Sequence, residues 1–117
     1  MALSFEKCVA ILKEHLAPEE VTRGVAYAAE VPIPARERLR FPRIDLDVPW
    51  PAYLAFVDRE PGANWGHSCR YILINRDAGE LTSHEARLPP FHTGRDLHWR
   101  VAYKAKGVPD SALAIGR

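Results

Sequence analysis

The stretch VPWPAYLAFVD at residues 48–58 constrains the fold more than any other part of the sequence. Successive side chains of a β-strand point to opposite faces, and both sets are apolar here. One face carries Tyr53, Ala55 and Val57, and the other carries Leu54 and Phe56. A strand of this kind is central in its sheet or is covered on both sides. Pro49 and Pro51 have no backbone N–H to donate, so they fit only before the strand.

The N-terminal residues predict an amphipathic helix. Ser4 is a good N-cap, Glu6 occupies the first turn where the helix dipole favours an acid, and Pro18 ends the helix. The apolar residues recur with the spacing of one helix face, at Phe5, Cys8, Val9, Leu12 and Leu16. We therefore expect Cys8 to be buried as a small hydrophobic residue.

Four other segments have the pattern of strands. A short helical turn after Pro18 leads into a strand at about residues 24–31. Residues 69–75 are rich in β-branched and aromatic types, and residues 81–87 return as a more polar strand nearer an edge. Residues 97–104 alternate, which predicts one face in the core and one basic face toward water.

This order predicts an α+β fold, in which an N-terminal helix packs on a curved, mainly antiparallel sheet of four to five strands. With 117 residues, the chain is expected to form a single domain over residues 1–117.

The turn between residues 75 and 81 sets the register of one hairpin. A three-residue loop at residues 77–79, with Gly79 in the left-handed conformation, pairs Cys69 with Arg87 and Ile72 with His84. This register places His84 and Cys69 on opposite faces of the sheet.

Composition excludes some classes of protein. Lys and Arg number 16 and Asp and Glu number 15, which argues against dedicated nucleic-acid binding. The residues after Met1 lack the basic region of a secretory signal, and no apolar run approaches the roughly 20 residues of a membrane helix. Cys8 and Cys69 are too few for a disulfide framework and are expected to be free thiols. The sequence thus predicts a cytoplasmic protein without membrane association.

The arginine-rich segment RERLRFPR leaves two interpretations open. In an extended conformation Arg36, Arg38 and Arg40 share one face, with Arg43 beyond them. Such a face binds an acidic partner or a phosphate, or it is a solvated edge that opposes aggregation.

The motif NWGHSC, residues 64–69, carries the chemistry-bearing residues. His67 and Cys69 are the alternative catalytic pair, since a thiolate needs a base in reach, and Arg87 opposite Cys69 would lower its pKa. They supply only two of the ligands that a zinc site needs, so no metal is predicted. No phosphate loop or other cofactor motif is present, so no cofactor is predicted. The favoured interpretation is structural, with Cys69 beginning a strand.

The segment RYILINRDAGEL, residues 70–81, resembles the strand–turn–strand of PepSY-like and peptidase-propeptide domains. The matching residues are Ile72, Ile74, Asp77, Gly79, Glu80 and Leu81. The resemblance implies a small helix-on-sheet module that binds or inhibits a partner, often a peptidase.

These observations predict a small non-enzymatic domain that binds a protein or peptide, with a small cysteine-dependent enzyme as the alternative. The candidate partner-binding residues are of types enriched at interface anchors. They are Asn64, Trp65, His67, Trp50 and Arg87. An edge strand is a second route to a peptide partner.

Overall fold

The computed structural model describes residues 2–41, 44–62, 68–91 and 96–114. Two α-helices come first, followed by strands and a single 3-10 turn at Asp110–Ala112. The helices are α1 (Phe5–Glu14) and α2 (Pro18–Arg23). The strands are β1 (Val25–Ala29), β2 (Arg38–Phe41), β3 (Ile44–Asp47), β4 (Ala52–Asp58), β5 (Cys69–Asn75), β6 (Leu81–Ala86) and β7 (Trp99–Lys104).

Five strands form an antiparallel sheet in the order β6-β5-β4-β1-β7, and β2 and β3 form a separate hairpin. The α+β prediction is confirmed. The strand β4 is central and every one of its residues is buried, as its two apolar faces predicted. The strand β6 lies at one edge, and β7 lies at the other.

The sheet buries a different set of side chains on each face. On one face α1 contributes Cys8 and Leu12, which pack against Ala55, Val57 and Ile72. The opposite face is covered by the β2–β3 hairpin and by loop residues, and its core is rich in aromatic rings. Its ring contacts join Tyr27, Phe41, Phe56, Tyr71, Phe91 and Trp99. The sheet is therefore the middle layer of the fold.

The helix α1 begins where the sequence predicted. The Ser4 side chain accepts a hydrogen bond from the backbone N–H of Lys7 at 3.1 Å. Cys8 and Leu12 are the residues of α1 that are fully buried, which confirms the predicted apolar face. Within the described parts of the chain, no helix is long and apolar enough to cross a membrane.

The predicted register of the β5–β6 hairpin is wrong by one residue. The loop has four residues, since Asn75 and Glu80 are paired by a 2.7 Å backbone hydrogen bond. Cys69 lies opposite Ala86 rather than Arg87, and Tyr71 lies opposite His84. Because a slip of one residue moves every side chain of a strand to the other face, His84 shares the face of Cys69 instead of opposing it.

The predicted alternation along the last strand is also interrupted. The pairing of β1 with β7 shifts between Ala26 and Tyr27, which pair with Tyr103 and Val101 and leave Ala102 as an extra residue. Such a β-bulge reorients the side chains beside it. Tyr103 therefore takes the face of Ala26, whereas Val101 keeps the face of Tyr27. Val101, predicted to face the core, is nevertheless 38% exposed.

We expect Gly79→Ala to destabilise the protein far more than Gly107→Ala. Gly79 has a φ of 79°, and an added Cβ would lie 3.0 Å from Ile11 Cδ1, whereas a Cβ at Gly107 would meet open space. A left-handed conformation costs a side-chain-bearing residue about 1–2 kcal/mol, to which the contact with α1 adds. Urea unfolding measures both variants. Equal losses of stability would show that the turn does not have this conformation.

Candidate functional site

Of the residues predicted to bind a partner, Trp50 and Arg87 lie within the described structure, and they are far apart. Asn64, Trp65 and His67 lie outside the described residues. Trp50 is partly buried against the aromatic core just before β4, and Arg87 is exposed just after β6. Trp50 lies just before the start of β4, and Arg87 follows the end of β6. The end of β6 is level with the end of β4, so Trp50 and Arg87 are at opposite ends of the sheet. A strand of seven residues spans about 20 Å.

Cys69 lies in an environment that suits packing better than nucleophilic catalysis. Its side chain is completely buried, and Sγ donates a long hydrogen bond of 4.0 Å to the carbonyl of Leu88. Burial is the main cause that raises its pKa to about 12, and the negative charge of Asp58 adds to it. Arg87 acts in the opposite direction but is outweighed. A catalytic cysteine needs the reverse, an accessible thiol with a lowered pKa.

Both cysteines are free, as predicted, and both are buried, which was predicted for Cys8. Cys8 packs on the α1 face of the sheet and Cys69 on the aromatic face, so the sheet separates them.

The described histidines have local partners. His84 contacts Thr82 Oγ1 through Nε2 at 3.0 Å, and His15 Nδ1 lies 2.9 Å from the carbonyl of Ile11. Across the described ranges, no group of three or more histidine, cysteine, aspartate or glutamate side chains is arranged to hold a metal ion.

The arginine-rich segment is a hairpin strand whose charge is largely matched by its partner. Arg38 donates two hydrogen bonds to Asp45, at 2.8 and 2.7 Å, and Arg40 lies opposite Asp45 in the register. Arg36 has a φ of 69°, so the extended face that the sequence suggested does not reach it. Arg43 lies outside the described residues. This arrangement favours the solvated-edge interpretation over a phosphate site.

A charged network that sequence reasoning missed fixes α2 against the sheet. Glu20 is only 1% exposed, and its carboxylate accepts a hydrogen bond from the backbone N–H of Ala17 at 2.7 Å. It also accepts 2.9 Å bonds from Nε of Arg59 and Nε of Arg70, and a 2.7 Å bond from a terminal nitrogen of Arg70. A buried carboxylate needs partners of this kind, and Glu20 has four donors.

Most of the remaining donors of the two guanidinium groups are also bonded. Arg59 makes a two-point contact with Glu85, at 2.6 and 2.9 Å, and reaches Ser68. Arg70 donates to Ser83 and to the carbonyl of His15. No free charge is left for a ligand, so the network stabilises the fold. The sequence signals were a glutamate three residues after the N-cap of a proline-started helix and an arginine within an apolar strand.

A groove of about 510 Å³ lies between α1 and the edge strand β7. From α1 it is lined by Phe5, Glu6, Val9, Ala10 and Lys13. From the sheet it is lined by Glu30, Arg100, Val101 and Ala102. Its lining combines apolar side chains with four charged ones, so it offers both kinds of contact to a partner.

The edge beside this groove is unpaired as far as the described residues show. Among them, β7 has one neighbour in the sheet, β1. Unpaired edges are commonly defended by charged side chains. Here Arg100 is paired with Glu30, and Lys104 donates to Asp110 at 2.9 Å, so the cations of β7 are held by acids of the same chain.

Comparison of the chain with protein-family models, with curated proteins and with solved structures gave no significant match. The assignment of a function therefore depends on the geometry alone.

We predict that Glu20→Gln lowers the free energy of unfolding at pH 7 by about 3 kcal/mol, because it leaves the partly buried Arg59 and Arg70 with a weaker partner. Desolvation acts to raise the pKa of Glu20, but the hydrogen bonds from Ala17, Arg70 and Arg59 together hold it below its usual value of 4.5. The ionised carboxylate therefore stabilises the fold above pH 4.5, and this contribution is lost as the pH falls through the folded-state pKa.

The test is urea unfolding of the native protein and of Glu20→Gln from pH 7 to pH 3. The difference between their free energies of unfolding should become smaller below pH 4.5. The control is Glu19→Gln on the exposed side of the same helix, which should change stability by less than about 0.5 kcal/mol. A difference that stays constant with pH would contradict the role given to the carboxylate.

We expect the Cys69 thiol to be unreactive in the folded protein. In a Cys8→Ala background at pH 8, labelling with iodoacetamide should be at least about 100-fold slower than that of free cysteine, since only the thiolate reacts. Labelling after unfolding in urea should restore the normal rate and serves as the control. A native rate equal to that of free cysteine, or faster, would support the cysteine-enzyme alternative.

Proposed function

We propose that the chain is a non-enzymatic binding module that takes up an extended peptide segment of a partner protein along the free edge of β7. The observation that carries this proposal is the edge of β7, unpaired within the described residues, next to a groove that Phe5, Val9 and Ala102 help to line. Addition of a strand supplies backbone hydrogen bonds, and pockets beside the strand select side chains.

The backbone of β7 is suited to receive such a strand. Ala105 donates to the carbonyl of Gly24, and Glu30 donates to the carbonyl of His98, so Ala105 and His98 turn backbone groups toward β1. In an antiparallel pair these positions alternate with positions that point away. The backbone groups of Trp99 and Lys104 therefore point outward, where a partner strand would bond to them.

The groove gives the peptide a place for an apolar side chain. The sheet side of the groove is lined by Val101 and Ala102, and Ala102 is the extra residue of the β-bulge. A peptide side chain placed here would cover Val9, Ala102 and the ring of Phe5.

The resemblance of residues 70–81 to PepSY-like and peptidase-propeptide domains implies the same class of function and stays a prediction. A peptidase that offers an extended segment is one partner of suitable chemistry. The buried state of Cys69 gives no support to a cysteine-dependent enzyme.

Selection from a library of random displayed peptides tests the proposal without a known partner. Binders should bring chemical-shift changes to β7 and to Phe5, Val9 and Ala10. The variant Ala10→Trp fills the groove from α1 and should weaken the selected peptides at least about tenfold, a loss of about 1.4 kcal/mol.

The matched control is Ala78→Trp, the same change at an exposed alanine in the turn between β5 and β6. It should leave affinity unchanged. The proposal fails if no peptide is selected, or if the selected peptides shift residues elsewhere and bind Ala10→Trp as tightly as the native protein.

A further inference from the structure

The groove has a direction, because α1 and β7 run the same way. At its N-terminal end α1 places the ring of Phe5 5.4 Å from that of Tyr53, near the start of β4. The start of β4 lies level with the end of β1, where Ala29 pairs with Trp99, the first residue of β7. At the other end of α1, the His15 carbonyl bonds to Arg70, which pairs with Val57 near the end of β4.

The two ends of the groove carry opposite charges. Glu6 lies at the end where β7 begins, and Lys13 lies about 10 Å farther along α1, since each residue of a helix rises 1.5 Å. Both side chains are exposed, and neither forms a salt bridge with any residue of the described chain. Glu30 and Arg100 also line the groove but neutralise each other. The charges of the lining that stay unpaired within the described residues are therefore Glu6, where β7 begins, and Lys13, toward Ala102.

We infer that the groove selects an extended peptide with the order acidic–x–apolar–x–basic from its N-terminus to its C-terminus. This inference rests on the proposed function and adds a substrate pattern to it. Every strand pair in the described structure is antiparallel, so the added strand is taken to run opposite to β7. Its N-terminal part then lies beside Lys13, and its C-terminal part lies beside Glu6.

The spacing follows from the geometry of a strand. Side chains at positions i, i+2 and i+4 share one face, and positions i and i+4 are about 13 Å apart. This distance is slightly longer than the separation of Glu6 and Lys13 along α1. The side chains of Glu6 and Lys13 are long enough to make up the difference. The central apolar side chain at i+2 then faces Val9, between the two charges.

Two peptides of equal composition and opposite order test the inference. TETVTKT has the proposed order, and TKTVTET has the reverse. Each is inserted into the flanking residues of a peptide selected from the library, and dissociation constants are measured by fluorescence anisotropy in 50 mM salt. We expect the proposed order to bind about three- to tenfold more tightly, the range for two exposed ion pairs. The preference should shrink in 0.5 M salt.

Two variants assign the preference to the named charges. Glu6→Gln with Lys13→Gln should equalise the two peptides, and Glu6→Lys with Lys13→Glu should reverse their order. Circular dichroism checks that α1 persists in both variants, because the reversed charges oppose the helix dipole.

The outcomes separate the inference from the proposed function. Equal binding of both peptides at β7, or tighter binding of the reversed order, overturns the charge pattern and leaves the binding module in place. Failure of both peptides and of every library peptide to bind overturns the charge pattern together with the proposed function.

Discussion

The burial of β4 on both of its faces is the constraint on which the rest of the structure depends. A strand with apolar side chains in both directions is stable only between two layers, and each layer must come from another part of the chain. The helix α1 supplies one layer through Cys8 and Leu12, and the β2–β3 hairpin supplies the other through Leu39, Phe41 and Leu46. Because β1 and β5 flank β4 on both sides, β4 has no free edge, and the described sheet ends at β6 and β7. The edge beside the groove is the outer side of β7, which lies beyond β1.

The parts of the fold that could be predicted from the sequence are those whose signal is local. The spacing of apolar residues defined α1, and two-sided burial defined β4 and the apolar part of β5. The hairpin register was not predictable in the same way. Loops of three and of four residues both place Gly79 in the left-handed conformation, and β6 is too polar to prefer a face strongly. A difference of one residue in the loop then reversed the expected position of His84.

The bulge in β7 and the network around Glu20 depend on tertiary contacts. The strict alternation of residues 97–104 gives no sign of the extra residue, Ala102, that moves Tyr103 to the other face. Glu20 bonds to arginines 39 and 50 positions away in the chain, and a single sequence does not reveal such pairings. The candidate site was therefore only partly predictable. An edge strand was expected as a possible docking element, whereas the groove needs α1 and β7 to be placed side by side.

Hydrogen exchange of the backbone amides is the most direct test of the central claim, that a sheet buried around β4 leaves the edge of β7 open. The amides of β4 should exchange only on global unfolding, because β4 has strands on both sides and a layer on each face. The outward amides of Trp99 and Lys104 should exchange faster by several orders of magnitude. Protection of these two amides equal to that of β4 would mean that another element already covers the edge, and it would contradict the account.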